Sequence, residues 1–149
     1  MKPPRLDLAI QRASRAAHIP ADASLRAWAR ASLRRPAVVT LRYVAEAEAR
    51  SLNRDFRGRD YATNVLTFAF DDAPRGTLAG DIVVCAPVVA REARGQRKAV
   101  AAHHALLIVH ALLHLQGYDH ERDEDAARMQ RRERAILARL GFADPWPDR

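Results

Sequence analysis

Residues 98–120 read KAVAAHHALLIVHALLHLQGYDH. Apolar residues crowd this stretch up to Leu115, which predicts a long helix over about 98–115 that stops at Gly117. Glycine accepts the left-handed backbone of such a stop without a Cβ clash. Inside the helix His110 and His114 are four apart, so their rings share one face, about 6 Å apart along the axis. The turn at Gly117 then brings His120 round as a third imidazole. The spacing H-x3-H-x2-G-x2-H is that of a zinc peptidase, and three protein ligands that leave a position for water form the catalytic rather than the structural pattern. The residues themselves thus predict one Zn2+ per chain on His110, His114 and His120, with each ring nitrogen about 2.0–2.1 Å from the ion. A lone H-x3-H would be read as two ordinary helical histidines; the glycine and the third histidine reverse that reading.

The second position of the motif, where a peptidase keeps its glutamate base, is Ala111. Zinc lowers the pKa of a bound water towards about 7, so hydroxide is available without a carboxylate base. The missing glutamate therefore points away from proteolysis and towards phosphate chemistry. His103 shares the face of His110 and His114 but lies two turns from the nearer one, so it is expected to be a second-shell or packing residue. His104 points elsewhere, and His18 has no context. The acidic run Asp119–Asp125 suits the first turn of a final helix, with Asp119 a candidate acceptor for a ligand ring.

Outward from this helix, residues 5–11 alternate as a strand, and Leu25, Trp28, Ala29 and Leu33 recur at helical spacing up to Pro36. Residues 37–44 are β-branched and read as a strand, 45–56 as a short helix, and 64–70 as a strand entered from the loop RGRDYA. Residues 71–80 read as a loop, 81–86 as a fourth strand, 87–96 as a helix, and 122–140 as a last helix burying Met129, Ile136, Leu137 and Leu140. The expected fold is α+β: one domain over residues 1–149, with a mixed sheet of about four strands against helices and a zincin-like metal helix.

The chain carries 25 basic against 18 acidic residues, a net +7, and its only lysines are Lys2 and Lys98. Planar guanidinium groups suit phosphate oxygens, so this balance suggests a nucleic-acid partner, although a general preference for Arg and Ala explains it equally well. No apolar run approaches the roughly 20 residues that span a bilayer, so no membrane association is expected. The N-terminus lacks the apolar core of a secretory signal, and the lone Cys85 cannot close an internal disulfide; a cytoplasmic location is the expectation.

Three tracts carry a resemblance. LNRDFRGRDYATNVLTFAF (52–70) is similar to the segment R-G-x-D-x-x-T-N-V-L-S-F of the YbeY family of endoribonucleases, or rRNA maturation factors. AGDIVVC (79–85) resembles that family's L-G-D-I-x-I-C strand, and HALLHLQGYDH (110–120) its H-G-x-L-H-L-x-G-Y-D-H metal motif. With LGFADPW (140–146) the resemblance covers nearly the whole chain. It implies a zinc-dependent endoribonuclease of the cytoplasm that cuts single-stranded RNA, in maturation of the 16S ribosomal RNA 3′ end and in ribosome quality control. The ribosome or its small-subunit proteins would be partners. It implies His110, His114 and His120 as the zinc ligands and Arg57 as the arginine required for activity, with Arg59 a weaker claimant for phosphate contact. The sequence departs from the family at Ala111, Thr67, Ala69 and Ala79, of which Ala111 adds a methyl beside the expected metal. Two other readings stay open on sequence: a zinc peptidase, and a non-catalytic assembly factor in which zinc only holds the fold.

Overall fold

The computed structural model describes residues 3–146. Its elements run β1 (Leu6–Ala13), α1 (Asp22–Ala31), β2 (Ala37–Val44), α2 (Glu46–Arg57), β3 (Val65–Ala69), β4 (Leu78–Cys85), α3 (Ala86–Gly95), α4 (Val100–Leu115) and α5 (Asp123–Arg139). The four strands form one mixed sheet in the order β1-β2-β4-β3, with β3 antiparallel at the edge and the other pairings parallel. The expected α+β class, the single mixed sheet and the helices are all present.

The strand predicted over 81–86 begins earlier, at Leu78. Residues 78–80 look like loop because Gly-Thr precedes them, but β2 supplies partners: Leu78 pairs with Ala37 and Gly80 with Val39. The Leu78 N–H also donates to the Pro36 carbonyl at 2.8 Å. Pairing across the sheet overrides the local composition there. The strand ends at Cys85 because Ala86 and Pro87 already open α3, where proline without an N–H costs nothing.

The pleat divides the core. On β2, Ala37, Val39, Leu41 and Tyr43 are buried, and with Ile82 and Val84 of β4 they meet α1 and α4 in the larger cluster. Val83 and Cys85 belong to a smaller cluster with Ala49, and Leu52 of α2 packs against it. Period-2 alternation thus feeds two helical layers. Each full burial of Leu, Ile or Val stabilises by about 1.5–3 kcal/mol, and α4 alone buries six such side chains, from Leu106 to Leu113. His104 of α4 is buried against Tyr43, whose hydroxyl lies 2.9 Å from its Nδ1; burial drives the imidazole pKa down to about 4. No single helix among the described residues is long and apolar enough to cross a membrane; α3 and α4 reach that length together but meet at a bend of 117°.

Gly80 is where β4 comes closest to its neighbours. A Cβ there would sit 2.6 Å from the Phe68 carbonyl oxygen and 2.9 Å from Leu115 Cδ2. The carbonyl belongs to the β3–β4 ladder and has no room to move. Gly80→Ala is expected to destabilise the protein by about 1–3 kcal/mol, as overpacking does, and to lower Tm by roughly 2–4 °C per kcal/mol. Thermal unfolding checks this, and an unchanged Tm would show that the strand yields freely.

Candidate active site

Nearly all of α4 is covered by protein, and its C-terminal half surfaces at His110, half-buried, and His114, exposed. Four-residue spacing puts both on the uncovered stripe while Ala111, Leu112 and Leu113 stay inside. Gly117, at φ 97°, reverses the chain, and the Tyr118 N–H closes the helix by donating to the Leu113 carbonyl at 3.1 Å. The returning segment places His120 beside both rings, with centroids 5.6 Å from His110 and 6.3 Å from His114. Asp119 does not orient a ring, as the sequence suggested. Its Oδ1 accepts the N–H groups of His120 and Glu121 at 2.6 and 3.2 Å, so it shapes the turn that carries His120.

The acceptor for a histidine ring comes from elsewhere. Glu133 Oε2 lies 3.0 Å from Nδ1 of His110, and the carboxylate is buried to 1% exposure. An ionised carboxylate can only accept, so in the neutral imidazole this contact puts the proton on Nδ1 and leaves the lone pair on Nε2. Glu133 had a sequence signal: it lies four after Met129 and three and four before Ile136 and Leu137, on the stripe α5 buries. A carboxylate on an apolar stripe needs a buried partner, and His110 is that partner.

Across from the histidines stands Arg57, the last residue of α2. Gly58, at φ 70°, ends that helix in the left-handed conformation, its N–H donating to the Arg54 carbonyl. Arg57 Nη2 donates to the Thr67 carbonyl at 2.7 Å, and its guanidinium lies over the Phe68 ring, 5.3 Å from the centroid. The edge strand β3 therefore fixes Arg57 while Val65, Leu66 and Thr67 wall the same cleft as Arg57, His110, His114 and His120, about 360 Å³ in volume. Arg50 braces the intervening loop: it bonds both oxygens of Asp60 at 2.7 and 3.0 Å and holds that carboxyl below the usual range. Among the described residues no carboxylate lines the cleft.

Several expected residues lie away from it. Arg59 is not on the cleft wall; its side chain reaches the Tyr61 hydroxyl. Ala111 points its methyl into the core at 0% exposure, so it takes no room beside the histidines. His103 is a packing residue: its Nε2 lies 2.9 Å from Glu92 Oε1, which also accepts from Asn64 Nδ2 at 2.9 Å and so ties α4 to α3 and to the start of β3. Cys85 is buried in the smaller cluster and is no part of the site.

Three imidazoles are a suitable donor set for a borderline-soft divalent ion. Rings sharing one tetrahedral ion would have centroids about 5 Å apart. The observed separations are somewhat larger and the rings lie nearly parallel, at 15° and 19°. Among the described residues no three His, Cys, Asp or Glu side chains are gathered tightly enough to enclose an ion. The donor chemistry fits a metal, and the surface turn carrying His120 is the part that would have to draw in.

Fold and cleft together define a single-domain α+β protein in which a histidine cluster and an arginine held by β3 share one cleft. A family model described as Endoribonuclease YbeY matches residues 11–141. Among curated relatives, Endoribonuclease YbeY of Aromatoleum aromaticum is 54% identical over 145 residues, covering 95% of this chain and 93% of the relative. That of Stenotrophomonas maltophilia is 52% identical over 153 residues, covering 97% and 95%. A solved structure, the solution structure of TM1509 from Thermotoga maritima, matches with a TM-score of 0.56 at 24% identity, covering 95% of this chain and 99% of the other, and supports the fold. The chain belongs to the endoribonuclease YbeY family, and its activity class is that of a nuclease, a hydrolase of phosphodiester bonds.

The Glu133 contact has a direct test. Glu133→Leu removes the acceptor and leaves the Nδ1–H of His110 unpaired in a half-buried position, a loss of about 1–3 kcal/mol in stability. In 15N NMR of the metal-free protein the His110 ring should leave the Nδ1–H tautomer for a mixture of the two. A ring that keeps the wild-type tautomer in this variant would mean that Glu133 does not orient it.

Proposed function

We propose that this chain is a zinc-dependent endoribonuclease that cuts single-stranded RNA. The observation that carries the reading is the meeting of His110, His114 and His120 with Arg57 in one cleft. Zinc on the three histidines would supply Lewis-acid stabilisation of charge on a phosphoryl oxygen. His110, held through Nδ1 by Glu133, keeps Nε2 free to act as a ligand. Arg57, with one N–H committed to the Thr67 carbonyl, has further donors for the phosphate, fixed before the substrate arrives. An RNA substrate brings its own 2′-hydroxyl, so the reaction asks for less base chemistry than peptide hydrolysis. That no carboxylate among the described residues lines the cleft wall favours this reading over a zinc peptidase. A fixed guanidinium opposite the histidines likewise favours catalysis over a purely fold-holding zinc.

The proposed setting is the cytoplasm, with ribosomal RNA as substrate, in maturation of the 16S ribosomal RNA 3′ end and in ribosome quality control. The ribosome or its small-subunit proteins are the proposed partners. Support for this setting is the family resemblance of the three sequence tracts, together with the net charge of +7, which favours a polyanionic partner.

Metal analysis of the purified protein should find one zinc per chain, and His114→Ala should lose most of it while remaining folded. Full retention of zinc by both His110→Ala and His114→Ala would place the metal elsewhere.

Single-turnover cleavage of a short single-stranded RNA should stop on chelation. In the same assay Arg57→Ala should slow cleavage by about 10²–10³ with zinc content unchanged, the usual loss on removing one preorganised charge-stabilising group. Arg57→Lys keeps the charge but not the planar fork, and should stay largely inactive. Normal cleavage by Arg57→Ala at saturating RNA would make Arg57 a binding residue only.

A further inference from the structure

A second, larger groove lies beside the cleft, on the far side of the Gly117 turn. It encloses about 700 Å³ and is lined by Arg34 and Arg35 from the α1–β2 connection and by Arg128, Arg131 and Arg132 of α5. Gln116, Gly117 and Tyr118 also line it, and among the described residues no carboxylate does. Among the described residues six arginines outside the groove pair with carboxylates: Arg12 with Asp22, Arg42 with Glu48, Arg50 with Asp60, Arg54 with Asp55, Arg91 with Glu46 and Arg134 with Asp144. Among the described residues none of the five groove arginines has a carboxylate partner. Arg132 lines the groove with its Nε–H buried and unpartnered.

The groove is also built rather than incidental. Gln116 Oε1 accepts the Arg34 N–H at 2.9 Å, while its Nε2 donates to the carbonyls of Ser32 and Leu112 at 2.7 and 3.0 Å. This amide pins the end of α1 to the end of α4 and sets the arginines of the two segments around one hollow. The guanidinium of Arg128 rests over the Tyr118 ring, 5.2 Å from the centroid, which limits its freedom before any ligand arrives. A volume within the range of about 300–1,000 Å³ typical of ligand pockets admits a nucleotide and not merely a phosphate ion.

We propose that this groove is a second RNA site, holding phosphates of the single strand next to the bond in the histidine cleft. The proposal rests on the reading of that cleft as the place of RNA cleavage. Continuity favours RNA over an acidic protein: Gln116 lies two residues beyond His114, and Tyr118 two before His120. Along the chain the cleft and the groove are thus joined by the one turn that carries Gly117. A strand leaving the cleft across this turn enters the arginines at once. Recognition there is by phosphate and therefore indifferent to sequence.

The test compares binding of a dinucleotide, whose one internucleotide phosphate occupies the cleft, with that of a single-stranded dodecanucleotide, in wild type and in Arg128→Gln/Arg131→Gln. Both replaced residues are exposed, and circular dichroism confirms the fold. Dodecanucleotide affinity should fall about tenfold, and its log–log salt slope should drop by about 1.4, or 0.7 for each lost single-strand phosphate contact. Dinucleotide affinity should hold, and Arg128→Lys/Arg131→Lys should recover most of the slope. An unchanged dodecanucleotide slope, or equal losses for both oligonucleotides, would overturn the proposal. So would unchanged RNA binding with loss of polyglutamate binding, which assigns the groove to an acidic protein. If wild type cleaves no RNA yet the slope difference persists, the reading of the cleft fails and the groove stands.

Discussion

The burial of α4 is the constraint on which the structure depends. Its residues from His103 to Leu113 are buried apart from His110, so the helix is stable only where protein surrounds it. The sheet covers it through β3 and β4, and α1, α3 and α5 close the remaining sides. The uncovered stripe at its C-terminal half is where His110 and His114 emerge. What holds the domain together and what exposes the histidines are therefore one arrangement. Loss of packing under this helix would reach the cleft without touching a site residue.

The two walls of the cleft are fixed to different degrees. Arg57 is held by the Thr67 carbonyl and the Phe68 face, and His110 by a carboxylate with almost no exposed surface. His120 is exposed and follows Asp119, whose carboxylate accepts its backbone N–H. Preorganised groups stabilise charge without reorganising at the moment of reaction, whereas a group on a surface turn can move to admit a ligand. The site combines a stiff arginine wall with one adjustable histidine.

Much of this was legible in the sequence, and the exceptions share a cause. The helix at 100–115, the glycine stop and the three histidines follow from local spacing, which a linear chain displays directly. The start of β4 at Leu78 did not, because its reason is a partner strand some 40 residues earlier. Local spacing does not reveal the partner of Glu133, which lies 23 residues away, even though the place of Glu133 on an apolar stripe marks it. Ala111 directly follows His110, which suggests a methyl beside the metal, yet one step along a helix turns a side chain by about 100°, here into the core. The excess of arginine showed in the composition, but which arginines lack partners depends on where the carboxylates fold.

The strand order also bears on how the chain is made. β1 and β2 are complete at Val44, yet the neighbour of β2 on its other side, β4, begins only at Leu78, and the helix that covers it ends at Leu115. At synthesis rates of about 5–20 residues per second, roughly 4–14 s separate the translation of Val44 from that of Leu115. Through that interval the nascent chain holds a finished strand with an open edge and an apolar face, the combination most prone to pairing with another chain. Val38 and Arg42 alternate outward along that strand with their buried neighbours, and the guanidinium of Arg42 sets a charge on the waiting strand. Vectorial synthesis thus gives this topology a period of exposure before its centre can close.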